Sequence, residues 1–331
     1  MRSKIYLADH LLDELKGGTV FGEMALIDAQ PRSASAIANK DSKLIRIDET
    51  RFAELASQHP QFGLAVMRVM SIRTRRLIKE EISRQRMVEE LAIGREIQLG
   101  LLPDTVPKIK GWEFAAVYLT ATQVGGDIYD FILDEASPNH VELLVADVTG
   151  KGVPAALFMA SMRSTLRTLA REEDNPTTIL RLANRAIMED IRSPLFLSCI
   201  FGRLNTLTGE IKLANGGHDW PLWSKASENQ VETLEMPGFV LGMFKDIELE
   251  ERSVKLSPGD ALVIFTDGVT EARNKQGEFF DDERLVAVIK DNQGKSAAEI
   301  ADAIVESVKA FSANHPRSDD LTLMVIKRDS V

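Results

Sequence analysis

Between Gln61 and Leu102 the chain carries no proline, and its apolar residues, among them Val66, Met70, Leu77, Ile78, Ile82, Leu91, Ile93 and Ile97, are scattered through charges. Arg73, Arg75, Arg76, Lys79, Arg84 and Arg86 are interleaved with Glu80, Glu81, Glu89 and Glu90. That mixture predicts a long helix laced with water, its opposite charges meeting at three- and four-residue spacing. Pro103 stops it, because the residue before a proline is pushed out of the helical region. Residues 60–102 are therefore read as a helical linker. Ile93, Ile97 and Leu101 form an i, i+4, i+8 stripe that could pair with a second copy of the chain or pack within one copy. The heptad is imperfect.

The linker separates two stretches of different texture. Residues 1–59 hold short apolar runs, Thr19-Val20-Phe21, Ala36-Ile37-Ala38 and Leu44-Ile45-Arg46-Ile47, divided by Gly17-Gly18, Pro31 and Asp41. They read as small strands. Residues 103–331 alternate strand-like and helix-like segments in groups. Val141 to Val148 and Ala261 to Phe265 are apolar runs bounded by turn formers, predicted to be buried strands. Ala155, Met159, Met162, Leu166 and Leu169 recur at helical spacing after Pro154, and Asn175-Pro176 caps a second helix carrying Ile179, Leu182, Ala183 and Ile187. Leu197 to Leu204 and Ile211 to Asn215 predict strands joined through Thr208-Gly209. Ser296 and Glu299 form a capping-box pattern ahead of Ile300, Ile304, Val308 and Phe311. Leu321 to Lys327 is again strand. Helices paired between groups of strands favour a layered α+β fold over strict βαβ alternation.

A chain of 331 residues, 44% hydrophobic, can bury a large core. Lys plus Arg number 40 against 50 Asp plus Glu, a net charge of -10, which argues against a nucleic-acid or anionic-membrane partner. No apolar run approaches a membrane span, and the acidic and basic residues from Asp9 to Lys16 prevent a secretory apolar region. A cytoplasmic location is the default expectation. The single cysteine, Cys199, rules out an intrachain disulfide and a thiolate metal cluster.

Four acidic points lie where a strand meets a turn: Asp127 in Val124 to Asp130, Asp147 in Ala146 to Gly152, Asp267 in Phe265 to Gly268, and the pair Asp319-Asp320. A glycine beside the acid lets the backbone turn sharply. One Asp-Gly is ordinarily only a turn, but four such points ask for a common explanation. If the carboxylates converge, each like-charge pair at about 4 Å costs roughly 4 kcal/mol at an effective dielectric of 20. Divalent cations would remove that repulsion, and all-oxygen ligands favour Mg or Mn over Zn. Two such ions lower the pKa of a bridging water and offset phosphoryl charge, which points to hydrolysis.

At these residues the chain resembles a known family. Val124 to Asp130 (VGGDIYD), Asp147 to Gly152 (DVTGKG) with Val153 to Leu157, Leu213 to His218 (LANGGH), Phe265 to Asn274 (FTDGVTEARN) and Asp319 to Leu323 (DDLTL) occur in the order seen in PPM-type metal-dependent serine/threonine phosphatases, more narrowly the RsbU/SpoIIE branch. The resemblance runs from about Glu96 to Lys327. It implies an αββα sandwich with two Mn2+ or Mg2+ ions at one end of the sheets. It further implies that Asp147 bridges both ions and the Val148 carbonyl binds one, that Asp127 serves one ion directly or through water, and that Asp267 and Asp319, with Asp320 the less suited neighbour, complete the other. The expected activity is hydrolysis of phosphoserine or phosphothreonine through a metal-bridged hydroxide. The expected substrate is a phosphorylated STAS-type anti-sigma-factor antagonist in a bacterial partner-switching pathway. Gly216, Asp219 and Thr149 depart from the common Ala, Asn and Ser.

Phe21 to Leu26, followed by Pro31-Arg32-Ser33-Ala34, resembles the phosphate-binding cassette of cyclic-nucleotide-binding domains. The resemblance places Glu23 on the ribose of a cyclic nucleotide and Arg32 with Ser33 on its phosphate. It also implies that a partial β-barrel sensor occupies residues 1–59, N-terminally truncated or completed by a partner, with Phe52 to Leu55 starting the closing helix. A sensor that only packs on the linker is the alternative. The segment before the phosphatase, Ala92 to Pro103, resembles the dimeric switch segment of the phosphatase family, so a homodimer through the linker is expected.

Other residues read more plainly. His218 either orients substrate, acts as an acid or is a turn histidine held by backbone. Lys151 either steers phosphate or is a solvated loop lysine. Cys199 and the three tryptophans read as packing. Two further functional readings stand beside the phosphatase: a nucleotide cyclase, because Gly125-Gly126-Asp127 resembles the GGDEF turn, and a pseudophosphatase that binds a partner without turnover.

Overall fold

In the computed structural model, which describes residues 2–7, 10–16, 20–24, 34–38, 41–190, 195–313, 315 and 317–330, the chain divides into two units, Met1–Met87 and Val88–Val331. The first unit holds strands β1 (Arg2–Leu7), β2 (His10–Lys16) and β3 (Ser35–Ala38) in one antiparallel sheet of order β2-β1-β3. The β1–β2 register shifts between Ile5 and Tyr6. Helix α1 (Glu49–Gln58), which contains Phe52 to Leu55, starts at Asp48, whose carboxylate accepts the Arg51 N–H at 2.9 Å. Helix α2 (Pro60–Leu101) begins in this unit.

Two strand expectations in this unit need correction. Thr19 lies outside the described residues, and Val20 and Phe21 are not in a strand. Leu44 to Ile47 belong to neither helix nor strand, and Ile45 is 93% exposed. An apolar run becomes a strand only when a neighbouring strand pairs with it and something covers its face, and among the described residues no strand pairs with Leu44 to Ile47. The described residues of this unit form a three-stranded sheet rather than a closed barrel.

The second unit takes in the last turns of α2 and then ten strands and five helices among its described residues. One sheet has the order β10 (Gln230–Thr233), β9 (Leu222–Lys225), β12 (Ala261–Phe265), β13 (Leu321–Arg328), β4 (Trp112–Leu119); the other runs β11 (Glu251–Lys255), β8 (Glu210–Gly216), β7 (Leu197–Asn205), β6 (His140–Val148), β5 (Ile128–Ile132). All pairings are antiparallel. The helices are α3 (Val153–Glu172), α4 (Pro176–Asp190), α5 (Asp267–Thr270), α6 (Asp281–Asp291) and α7 (Ala297–Ser312). This is the mixed α+β class with two antiparallel sheets.

Three apolar cores between four packed layers explain why the strands are continuously apolar instead of alternating. Successive side chains of a strand point to opposite faces. In β6, Leu143 and Val145 enter the core between the sheets, while Leu144 and Ala146 pack against Met159, Met162 and Leu166 of α3 and Leu180 of α4. In β12, Leu262 and Ile264 face the intersheet core, while Val263 and Phe265 meet Ile289 of α6 and Ile300 and Ile304 of α7. With cover on both faces, each buried Leu, Ile or Phe contributes about 1.5–3 kcal/mol. That sum outweighs the roughly 1 kcal/mol span of strand propensity. The expected capping box also forms: Ser296 Oγ accepts the Glu299 N–H at 3.3 Å and Glu299 Oε2 accepts the Ser296 N–H at 2.9 Å.

Candidate active site

The same antiparallel pairing gathers the acids. Asp127 directly precedes β5, Asp147 is the penultimate residue of β6, Asp267 opens α5 just after β12, and Asp319 lies just before β13. Four segments drawn from both sheets thus end at one place, and the electrostatics records their proximity. Burial pushes the Asp147 carboxyl up to about 7, reinforced by the negative charges of Asp267, Asp319 and Asp320. Burial, then Asp319 and Glu271, push Asp267 up to about 6. Asp127, only 2% exposed, is held well above the usual carboxylate range by burial and then by Asp147, which lies within hydrogen-bonding reach of it.

Glycines beside these acids serve close approach. A Cβ on Gly126 would sit 2.9 Å from the Val148 carbonyl oxygen and 3.5 Å from Asp147 Oδ1, so only glycine lets this loop lie on the end of β6. A Cβ on Gly268 would run into the Asp320 carbonyl oxygen. Gly150 and Gly152, flanking Lys151, are the ones that need left-handed backbone, with φ of 92° and 75°.

Asp320 is drawn to a different task from its neighbour. Its Oδ1 accepts the Ala121 N–H at 2.7 Å and its Oδ2 the Gly126 N–H at 2.8 Å, which fastens the loop before Asp127 to the start of β13. Asp319 instead pairs with Lys151 at 2.8 Å, and the same ammonium donates to the Ser318 carbonyl. Lys151 is therefore held at the acid cluster, with its side chain half exposed.

The donor set, carboxylates with the Val148 carbonyl beside them and no thiolate, has the chemistry of a hard divalent cation site. Among the described residues no three His, Cys, Asp or Glu side chains already form a cage for one ion. Burial first, and then neighbouring carboxylates, raise Asp127, Asp147 and Asp267, so their negative charge is disfavoured where no cation offsets it, and the glycine-cleared space at Gly126 lies against both Asp147 and Val148. On these grounds the residues fit Mg2+ or Mn2+.

Three polar residues at the cluster escaped the sequence reading, and a fourth entered it only as a departure from the family pattern. Thr266 and Thr322, both fully buried, donate to Asp127 Oδ2 at 2.8 and 2.6 Å. Gln98 is the buried residue of α2 and hydrogen bonds the backbone of Gly125. Asp219, the fourth, has an exposed surface yet is close enough to Asp267 for that charge, after crowding by the surrounding protein, to raise its carboxyl. The available signal was placement: both threonines lie within the acid motifs, and Gln98 is a neutral polar side chain next to the apolar stripe.

His218 is buried, its Nδ1 lies 2.7 Å from Ser198 Oγ, and its peptide N–H is accepted by Asn215 Oδ1 at 2.7 Å. Burial lowers its pKa to about 4, so at neutral pH the ring is uncharged. Ser198 is the register partner of Asp147. Cys199 is fully buried and its thiol is pushed up to about 12, consistent with a packing role. A shallow groove of about 540 Å³ lined by Lys108, Trp112 and Ala297 shares no residue with the acid cluster.

In the first unit, Glu23 is 5% exposed and ion-paired with Arg73 of α2, whose guanidinium also donates to the Val20 carbonyl. Arg32 and Ser33, the residues expected at a cyclic phosphate, lie outside the described residues.

Comparison with known proteins places both ends of the chain in known families. The family described as Stage II sporulation protein E (SpoIIE) matches residues 137–329, and the cyclic nucleotide-binding domain family matches residues 4–59. The chain is 30% identical over 244 residues to the phosphoserine phosphatase RsbU of Bacillus subtilis (strain 168), a match covering 74% of this chain and 71% of that protein. Among solved structures, the SiaA-PP2C domain of Pseudomonas aeruginosa superposes with a TM-score of 0.66 at 20% identity, covering 75% of this chain and 99% of that one. The RsbU and RsbW domains of Rv1364c from Mycobacterium tuberculosis give a TM-score of 0.57 at 26% identity, covering 68% of this chain and 62% of that one.

Proposed function

The chain belongs to the SpoIIE family, and from that premise we propose that it is a Mg2+- or Mn2+-dependent protein serine/threonine phosphatase. The observation that carries the reading is the meeting of Asp127, Asp147, Asp267 and Asp319 at one end of the two sheets, the first three raised by burial and then by nearby carboxylates and the last paired with Lys151. Asp127, Asp147, Asp267, Asp319 and the Val148 carbonyl are the residues that would hold two divalent cations. When bound, those ions offset the carboxylate charge, acidify water and neutralise charge on a phosphoryl group.

The chain's own residues divide the remaining work. Asp320 holds the loop that carries Asp127, since both of its oxygens are engaged by backbone amides. Lys151 places a positive charge at the cluster, where it can attract a phosphoryl group. His218 is neutral at physiological pH, so its role is to hold Ser198 opposite Asp147 rather than to deliver a proton from an imidazolium. The Gly125-Gly126-Asp127 turn, which also suggested a cyclase, is accounted for by packing against Val148 and Asp320.

The substrate we assign is a phosphorylated STAS-type anti-sigma-factor antagonist. It draws support from the likeness to RsbU and to a chain that carries RsbU and RsbW domains together. Residues 1–59 are assigned as a cyclic-nucleotide-binding-like sensor, 60–102 as a linker and 103–331 as the phosphatase domain. Leu77, Ile78, Ile82, Ile93 and Ile97 of α2 are exposed, which supports pairing of two linkers in a homodimer. No helix among the described residues is long and apolar enough to cross a membrane.

Release of inorganic phosphate from a phosphoserine protein, followed with Mn2+ and with chelator, tests the reading. Turnover that survives chelation, or that persists in a folded Asp267→Asn variant, would refute it.

A further inference from the structure

We propose that Thr266 and Thr322 are positioning residues of the metal site: their two hydroxyls commit Oδ2 of Asp127 to the protein, so that Oδ1 is the oxygen presented to a divalent cation. The inference rests on the phosphatase reading above and adds to it a pair of residues that touch neither substrate nor ion.

The direction of each hydrogen bond follows from the atoms available. The Thr322 N–H donates to Thr266 Oγ1 at 3.0 Å, so that oxygen already serves as an acceptor. Its own proton therefore goes outward, to Asp127 Oδ2 at 2.8 Å; the alternative acceptor, the Thr322 carbonyl, is farther at 3.4 Å. That carbonyl already takes the Thr266 N–H at 2.9 Å. Thr322 Oγ1 donates to the same Asp127 oxygen at 2.6 Å. Both threonines are fully buried, so water cannot compete for these protons, and a buried hydroxyl without an acceptor is costly.

The support is also stiff. A β-branched side chain has few rotamers, and the two threonines brace each other, the Thr266 N–H donating to the Thr322 carbonyl and the Thr322 N–H to the Thr266 hydroxyl, between the end of β12 and the second residue of β13. Asp127 belongs to the segment leading into the other sheet. The pair therefore transmits the relative placement of the two sheets to one carboxylate. Hydrogen-bonded partners of metal ligands orient those ligands, and removing one costs about 10–100-fold in affinity.

The test measures Mn2+ binding to the metal-stripped 331-residue chain by isothermal titration calorimetry, with folding checked by circular dichroism and urea unfolding. Thr322→Val and Thr266→Val keep the shape and remove the hydroxyl, and each is expected to weaken Mn2+ binding about 10–100-fold. Thr322→Ser keeps the hydroxyl and is expected to stay close to wild type. Wild-type affinity in the valine variants, or a serine variant as weak as the valine one, overturns the inference while leaving the phosphatase reading intact. If the wild-type chain binds no Mn2+, the reading falls and the inference with it. Should one valine variant fail to fold, the other carries the test, and failure of both would assign the hydroxyls to the fold and overturn the inference.

Discussion

The Gln98 side chain closes two hydrogen bonds on the backbone of Gly125: Nε2 donates to the Gly125 carbonyl at 2.6 Å, and Oε1 accepts the Gly125 N–H at 3.0 Å. Gly125 is two residues from Asp127, and Gly126 between them is held by Asp320. The last turns of α2 and the start of β13 therefore grip the same short loop. Gln98→Ala leaves a buried donor and acceptor without partners, which costs about 1–3 kcal/mol. The urea midpoint of the chain should fall accordingly, and phosphatase turnover should fall with it. An unchanged midpoint would show that the loop is held without Gln98.

The raised acids predict a trade between stability and activity. Neutralising Asp267 removes a charge that burial, Asp319 and Glu271 disfavour. Discounted for partial exposure, the relief is about 1 kcal/mol. In chelator, Asp267→Asn should melt higher than wild type, while its Mn2+-dependent turnover should fall by about a hundredfold or more. A variant that melts lower in chelator and keeps its turnover would contradict both halves.

His218 gives a pH dependence with a definite sign. Its folded-state pKa is lowered by burial to about 4 from an ordinary 6.5. Between these values the unfolded chain binds a proton that the folded chain refuses. The contribution is thus fully present above about pH 6.5 and is lost as pH falls toward 4, at up to about 1.4 kcal/mol per pH unit. His218→Gln should flatten this part of the acid slope. Urea midpoints for both chains at about pH 7 and about pH 5 give the comparison, and parallel slopes would mean the imidazole is not the group responsible.

Gly268 predicts a steric effect at the site. A Cβ there collides with the Asp320 backbone carbonyl, which cannot swing aside as a flexible side chain would. Gly268→Ala should cost about 1–3 kcal/mol by overpacking and should also lower turnover by displacing Asp267 from Asp319. Gly100, in α2, is the control, because a methyl group added there would meet nothing within 4 Å. Gly100→Ala should be neutral or stabilise by up to about 1 kcal/mol, since alanine favours helix over glycine. Equal urea midpoints for the two variants would sink the steric account.

The second unit was largely legible before its structure because its signals are local and agree with one another. Ala261 to Phe265 is a strand with the predicted bounds, and Ser296 with Glu299 forms the predicted box. The first unit was less so. Leu44 to Ile47 carries the composition of a strand, yet Leu44 and Ile45 are exposed and the segment pairs with no described strand. Composition reports willingness to pair, whereas pairing depends on what lies alongside. Gly126 and Gly268 were expected to serve sharp turns, but what they provide is room for a neighbouring carbonyl.

By itself, the order of residues determined the secondary structure of most of this chain, that no disulfide can form within it, and which acids stand at the ends of strands, because periodicity, caps and turn formers act over a few residues. Only the tertiary structure decided what each acid does. Asp319 and Asp320 are adjacent and chemically identical, yet one meets Lys151 and the other spends both oxygens on the amides of Ala121 and Gly126. Likewise Thr266, Thr322 and Gln98 acquire their roles from partners far away in sequence. Hydrogen bonds and charge repulsion act through space over a few ångströms, and antiparallel packing of two sheets brings those distances about.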